Sequence, residues 1–167
     1  MSTFTKIGTS LTTSSHFGKF VTLLSTGFGV GYSPYAPGTA GSVLGIGCFF
    51  LTKDWSYPVQ TGLFVFFVLL GIGVSEKAEK ASRQIDPDFI IIDEIAGMWV
   101  TFLFLWQFTW PVILVGFLLF RLLDIVKFFP INLFESFHGG LGIMLDDVAA
   151  GMLVNILLRI LLVIGIF

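Results

Sequence analysis

The chain has 167 residues, of which 55% are apolar, 16% aromatic and only 12% charged. Soluble domains carry about 25% charged residues, so this composition belongs in a lipid bilayer. A net charge of −2 excludes a polybasic nucleic-acid binder, and a single cysteine, Cys48, excludes an intramolecular disulfide.

Residues 1–18 are rich in Ser and Thr, carry no signal peptide and read as a flexible tail. Residues 19–167 read as one membrane-embedded domain of all-α class, a polytopic helical bundle. The glycine-rich segment Phe17–Tyr32 is expected to form a surface or re-entrant helix. Five apolar segments then follow as helices that cross or nearly cross the membrane, at 39–52, 58–75, 94–108, 111–127 and 146–166. Several fall short of the roughly 20 residues that span a hydrocarbon core, so tilted or re-entrant segments are expected among them. Pro37-Gly38 and Trp110-Pro111 mark breaks, and Lys53-Asp54-Trp55-Ser56 reads as a short polar turn. Cys48 lies inside an apolar run and reads as a small hydrophobe. Trp55, Trp106 and Trp110 are placed to form an aromatic belt at one interface.

Five crossings put the N-terminus and the 76–93 and 128–145 loops on one side. Lys6, Lys19, Lys77, Lys80, Arg83 and Lys127 fall there, against Lys53 opposite, so the positive-inside rule makes that side cytoplasmic. Arg159, near the other end of the last helix, is expected to snorkel towards the far surface. The same topology gathers the acids: of 11, only Asp54 is assigned to the far side.

Four constellations carry chemistry. Asp146-Asp147 open a long apolar helix after the run Gly139-Gly140-Leu141-Gly142, and each carboxylate would cost roughly 2.5–3.5 kcal/mol at a bilayer centre. Adjacent helical residues diverge by about 100°, so both cannot idle on one exposed face. Asp93-Glu94 open another helix, where acids also simply complement the helix dipole. Arg121, Asp124 and Lys127 share a face at i, i+3, i+6, which fits either an ion pair or a site for an anion. In Ser33-Pro34-Tyr35-Ala36-Pro37-Gly38-Thr39-Ala40-Gly41-Ser42, Gly38 and Thr39 open a helix whose free N–H groups suit phosphate. Gly41 and Gly45 make a small-residue face for helix packing. Asp86 and Asp88, around Pro87, read as solvated turn residues, and His138 as a loop histidine or a ligand. Hard oxygen donors without sulfur point to Mg²⁺ over Zn²⁺.

These four blocks, together with Pro130-Ile131 and His138 preceding the glycine run, resemble the phosphatidylglycerophosphatase A family of bacterial membrane lipid phosphatases. The resemblance runs from about residue 25 to 160, and its final block is the most specific. It implies removal of the terminal phosphate from phosphatidylglycerophosphate, with Mg²⁺, at the cytoplasmic face of a bacterial inner membrane. Glu94, Asp124, Asp146 and Asp147 would be catalytic and, with Asp93, would bind the metal. Lys19, Gly38, Thr39, Arg121, Lys127 and His138 would hold the phosphate. The chain departs from the family at Lys127-Phe128-Phe129-Pro130, where Lys-Pro-Trp-Pro is usual, and at Ser136, where a basic residue is common. Two other readings of the same acids exist: an ion- or proton-coupled transporter, with charges strung along a path, and a scaffold whose acids only cap helices. The oligomeric state is open on sequence alone.

Overall fold

The computed structural model describes residues 16–126 and 137–167. Among these there are six α-helices, one short 3-10 turn and no strand. Helix α1 is His16–Ser25, opening within the segment assigned to the tail, and the 3-10 turn is Val30–Tyr32. Then come α2 Pro37–Thr52, α3 Tyr57–Ser82, α4 Ile92–Phe102, α5 Trp110–Val126 and α6 Gly140–Val163.

Local chemistry sets these bounds. Pro37 and Pro58 sit in the first turns of α2 and α3, where a missing N–H costs nothing. Arg83 closes α3 in the left-handed conformation at φ 57°. Asp93 and Glu94 lie in the first turn of α4, opposite the positive end of its dipole. Among the described residues, only α3 and α6 are long and apolar enough to cross a membrane, and α2 is a shorter apolar helix.

Helix α4 is the hub. Ten of its eleven residues are buried, all but Glu94, and it packs chiefly on α6 and α2. Small residues permit both contacts. A side chain at Gly97 or Gly151 would strike the facing backbone of α6 or α4, and one at Gly45 would strike the backbone at Ile95 and Trp99. The Gly41 and Gly45 face of α2 thus packs on α4 as its spacing predicts.

The expected 94–108 helix stops at Phe102. At 1.5 Å per residue α4 is about 16 Å long, too short to cross a core of about 30 Å alone. Its last carbonyls would be orphaned among apolar groups. Asn155 on α6 answers them, donating from Nδ2 to the carbonyls of Val100, Thr101 and Leu103 at 3.1, 3.0 and 2.9 Å. Arg159 continues the network, donating from Nε to Asn155 Oδ1 at 2.8 Å and from Nη2 to Phe104 O at 2.9 Å. Its guanidinium also lies 5.7 Å from the centroid of the exposed Trp106. Arg159 is therefore bound as a helix cap, a role more specific than snorkelling.

The turn between α2 and α3 and the link after α4 share this far end, where Tyr57 meets Phe104 edge-on at 5.3 Å. Trp55, Trp106 and Trp110 are all exposed there. Outward faces are apolar as well: Leu114, Leu118, Leu122 and Ile125 on α5, and Met152, Ile156 and Ile160 on α6, are exposed. Such contiguous apolar surface needs lipid or a partner to cover it.

Candidate active site

At the opposite end, three helices bring carboxylates together. Helix α4 offers Asp93 and Glu94 from its first turn, α5 offers Asp124 from its last, and α6 offers Asp146 and Asp147 from its second and third turns. The Gly97–Gly151 crossing lies one turn further in, which is why Asp147 and Glu94 face each other across it. Asp93, Asp146 and Asp147 are 7%, 6% and 4% exposed. Charges are not left that dry without something to balance them.

One carboxylate oxygen from each of Asp93, Glu94 and Asp147 lies within 4.8 Å of the other two. Asp93 Oδ1 accepts the Glu94 N–H at 3.0 Å, and Asp146 Oδ1 accepts the Asp147 N–H at 2.9 Å. Each pair thus uses its first acid to steady the backbone of its second. Glu94 Oε2 is buried and has no hydrogen-bond partner. An orphaned acceptor amid hard oxygen donors is what a small divalent cation requires, so these residues fit Mg²⁺.

The acids enclose a cavity of about 100 Å³. Seven carboxylates line it, because Asp86 and Asp88 join Asp93, Glu94, Asp124, Asp146 and Asp147. Asp86 and Asp88 are turn residues, as expected, and in addition line the cavity. Both are exposed, yet Pro87 between them is buried and the loop folds over the cavity mouth, with Asp86 in the left-handed region at φ 44°. Their sequence carries no signal for this placement, since seven extended residues reach about 23 Å.

Arg121 is the cationic element. Its Nη1 stands 2.6 Å from Asp124 Oδ2 and 4.0 Å from Glu94 Oε1. The short contact is an ion pair without hydrogen-bond alignment, since Nη1 has no hydrogen-bond acceptor. Gly38 lies against both partners, and a Cβ there would overlap Glu94 Oε1 and stand 3.0 Å from Arg121 Nη1. The N-terminus of α2, with Thr39 beside it, therefore opens onto the Glu94–Arg121 pair. Ala36 precedes it in the left-handed region at φ 43°, with no side-chain cap on the helix.

The remaining predicted residues fall elsewhere. His138 is exposed and lines a larger recess of about 390 Å³ that shares Asp86 and Asp146 with the acidic cavity. Lys19 is exposed on α1 and does not line the cavity. Lys127, the 128–130 departure and Ser136 lie outside the described residues. A second recess, of about 290 Å³, shares Asp88 with the cavity on its other side and contains Tyr32, whose phenol burial pushes up from its ordinary value.

Comparison with known proteins covers this whole arrangement. The family profile of phosphatidylglycerophosphatase A matches residues 23–162, from α1 to the end of α6. A phosphatidylglycerophosphatase A of Escherichia coli is 36% identical over 132 residues, covering 78% of this chain and 77% of the relative. One from Haemophilus influenzae is 36% identical over 135 residues, covering 78% and 81%. A Bacteroides thetaiotaomicron protein, provisionally named a phosphatidylinositol-3-phosphatase, is 39% identical over 148 residues, covering 83% and 91%. No solved structure matches the chain. With the profile spanning every carboxylate of the cavity, the chain belongs to the phosphatidylglycerophosphatase A family.

Proposed function

We propose that this chain is a Mg²⁺-dependent lipid phosphatase that hydrolyses phosphatidylglycerophosphate to phosphatidylglycerol and inorganic phosphate. The observation that carries the reading is the Asp93–Glu94–Asp147 cluster with its unpartnered Glu94 oxygen, set beside Arg121 and the opening of α2. Family membership supplies the reaction class, and the E. coli and H. influenzae relatives are named for this lipid.

Asp93, Glu94 and Asp147 would hold the metal, with Asp124 and Asp146 beside them. When bound, Mg²⁺ supplies Lewis-acid polarisation of the phosphoryl group and orients an attacking water. Arg121 offsets charge on the phosphate oxygens, and its ion pair with Asp124 fixes where the guanidinium points. The N–H groups of Gly38 and Thr39, at the positive end of α2, face the same oxygens. The small cavity admits a phosphoryl group and little bulk water. Water adds to phosphorus, the bond to the glycerol oxygen breaks, and that oxygen leaves with a proton as the alcohol. His138 and Lys127, the latter outside the described residues, are proposed as further phosphate contacts, and Lys19 as a more distant one.

The chain is read as a multi-pass protein of the bacterial inner membrane, with about five membrane-embedded helices in a bundle and its site facing the cytoplasm. The apolar outer faces of α5 and α6 and the exposed tryptophans at the far end support this. Clustering of the acids at one end supports hydrolysis over ion transport, which calls for charges along a path.

A second substrate has a specific motive. The Bacteroides relative, named for phosphatidylinositol 3-phosphate, covers more of the chain at higher identity than the two others. One assay addresses both lipids: purified protein in detergent, with phosphate release followed from each, in Mg²⁺ or in EDTA. Turnover of either lipid that needs Mg²⁺ is the expected result. Metal-independent turnover would sink the metal assignment, and no release from either lipid would sink the phosphatase.

A further inference from the structure

The recess beside the 3-10 turn has no role in the account above, yet it is built. Tyr32 stacks on Phe89 with ring centroids 5.8 Å apart and planes 28° apart. A side chain at Gly31 would overlap the Phe89 carbonyl, so these two walls meet backbone to backbone. Ile91 N–H donates to Ser25 O at 2.9 Å, tying the same loop to the end of α1. On the far side Gln84 stands between two left-handed residues, Arg83 at φ 57° and Asp86 at φ 44°. The enclosed volume of about 290 Å³ is near the lower end of small-molecule clefts, about 300 Å³.

Position ties the recess to the reaction. Asp88 lines both the recess and the acidic cavity. Pro37 also lines it, and the next residue, Gly38, lies against Glu94 and Arg121. A molecule seated there holds its phosphate end at the acids. Chemistry then selects the occupant. The Tyr32 hydroxyl and Gln84 amide are uncharged hydrogen-bonding groups beside an aromatic pair, which suits a polyol: hydroxyls to the polar groups, C–H face to the rings. The larger recess opposite is lined by Glu79, Asp86 and Asp146. Those three carboxylates repel the anionic phosphodiester that joins a phosphorylated polyol to its lipid more strongly than Asp88 alone does in the smaller recess.

We propose that the Tyr32–Gln84–Phe89 recess binds the polyol bearing the scissile phosphate, glycerol or inositol, and sets headgroup specificity. This rests on the phosphatase reading. The test uses full-length protein in detergent, comparing wild type with Gln84→Ala and Tyr32→Ala. KM is measured for phosphatidylglycerophosphate and for phosphatidylinositol 3-phosphate, and the inhibition constant for inorganic phosphate, which needs only the acidic cavity. KM for the lipid whose polyol fits should rise about tenfold in each variant, with the phosphate inhibition constant changed less than twofold. The lipid that responds identifies the polyol. An unchanged KM overturns the proposal, as does a KM and phosphate inhibition constant rising together, because that is the signature of general disturbance. Wild-type protein inert towards both lipids would remove the phosphatase reading itself.

Discussion

Gly97 and Gly151 meet backbone to backbone, with no room for a single added methyl between the carbonyl of one and the Cα of the other. That contact sets how closely α4 and α6 approach, and so how closely Glu94 and Asp147 approach. Gly151→Ala should lower stability by about 1–3 kcal/mol through overpacking. It should also reduce phosphatase activity, since the acids are carried apart. Thermal unfolding in detergent, paired with a turnover assay, reads both effects; an unshifted midpoint would show that the crossing gives way easily.

Removing single carboxylates tests the cluster more directly. Asp147→Asn and Glu94→Gln should each lower kcat by on the order of a hundredfold while the protein stays folded. Binding offers a readout independent of turnover. Mg²⁺ at 100 times its dissociation constant should stabilise the wild type by about 2.7 kcal/mol, and EDTA should abolish that gain. The Asp147→Asn protein should show little of it. Equal Mg²⁺ stabilisation of both proteins would place the metal elsewhere.

Arg121 and Gly38 form a matched pair of tests. Arg121→Lys keeps the charge but loses the planar fork, and should cost about tenfold in kcat/KM, with Arg121→Ala costing more. Gly38→Ala drives a methyl into Glu94 Oε1, so activity should fall although the helix itself gains an alanine. If Gly38→Ala retains full activity, Glu94 has freedom to move that the packing denies it.

Asn155 predicts a purely structural phenotype. Asn155→Leu strips the amide from three carbonyls at the end of α4, and each buried unmet group costs about 1–3 kcal/mol. The unfolding midpoint should fall sharply while the residual folded fraction keeps its Mg²⁺ response. Loss of metal response at a temperature where the protein is folded would mean that the two ends of α4 are coupled.

Much of the site was legible in advance because topology alone carries Glu94, Asp124 and Asp146-Asp147 to one end, whatever the details of each helix. The glycine spacing on α2 foretold its packing for the same reason: it depends on side-chain size at fixed intervals. The length of α4 was not legible. Residues 95–106 are apolar but for Gly97 and Thr101, and nothing in the sequence there ends a helix at Phe102. The stop is made by Asn155 and Arg159, more than 50 residues away, which accept the burden of its carbonyls. The place of Asp86 and Asp88 at the cavity was not legible for a related reason. Their Asp-Pro-Asp motif is ordinary turn chemistry, and only the fold of that loop over the cavity distinguishes them from surface acids.

The carboxylates around Glu94 come from positions 86 to 147, and the last two enter on the final helix. No fragment that ends before α6 can therefore assemble the full acidic cluster. A growing polypeptide holds Asp93 and Glu94 without Asp146 and Asp147 until α6 is made.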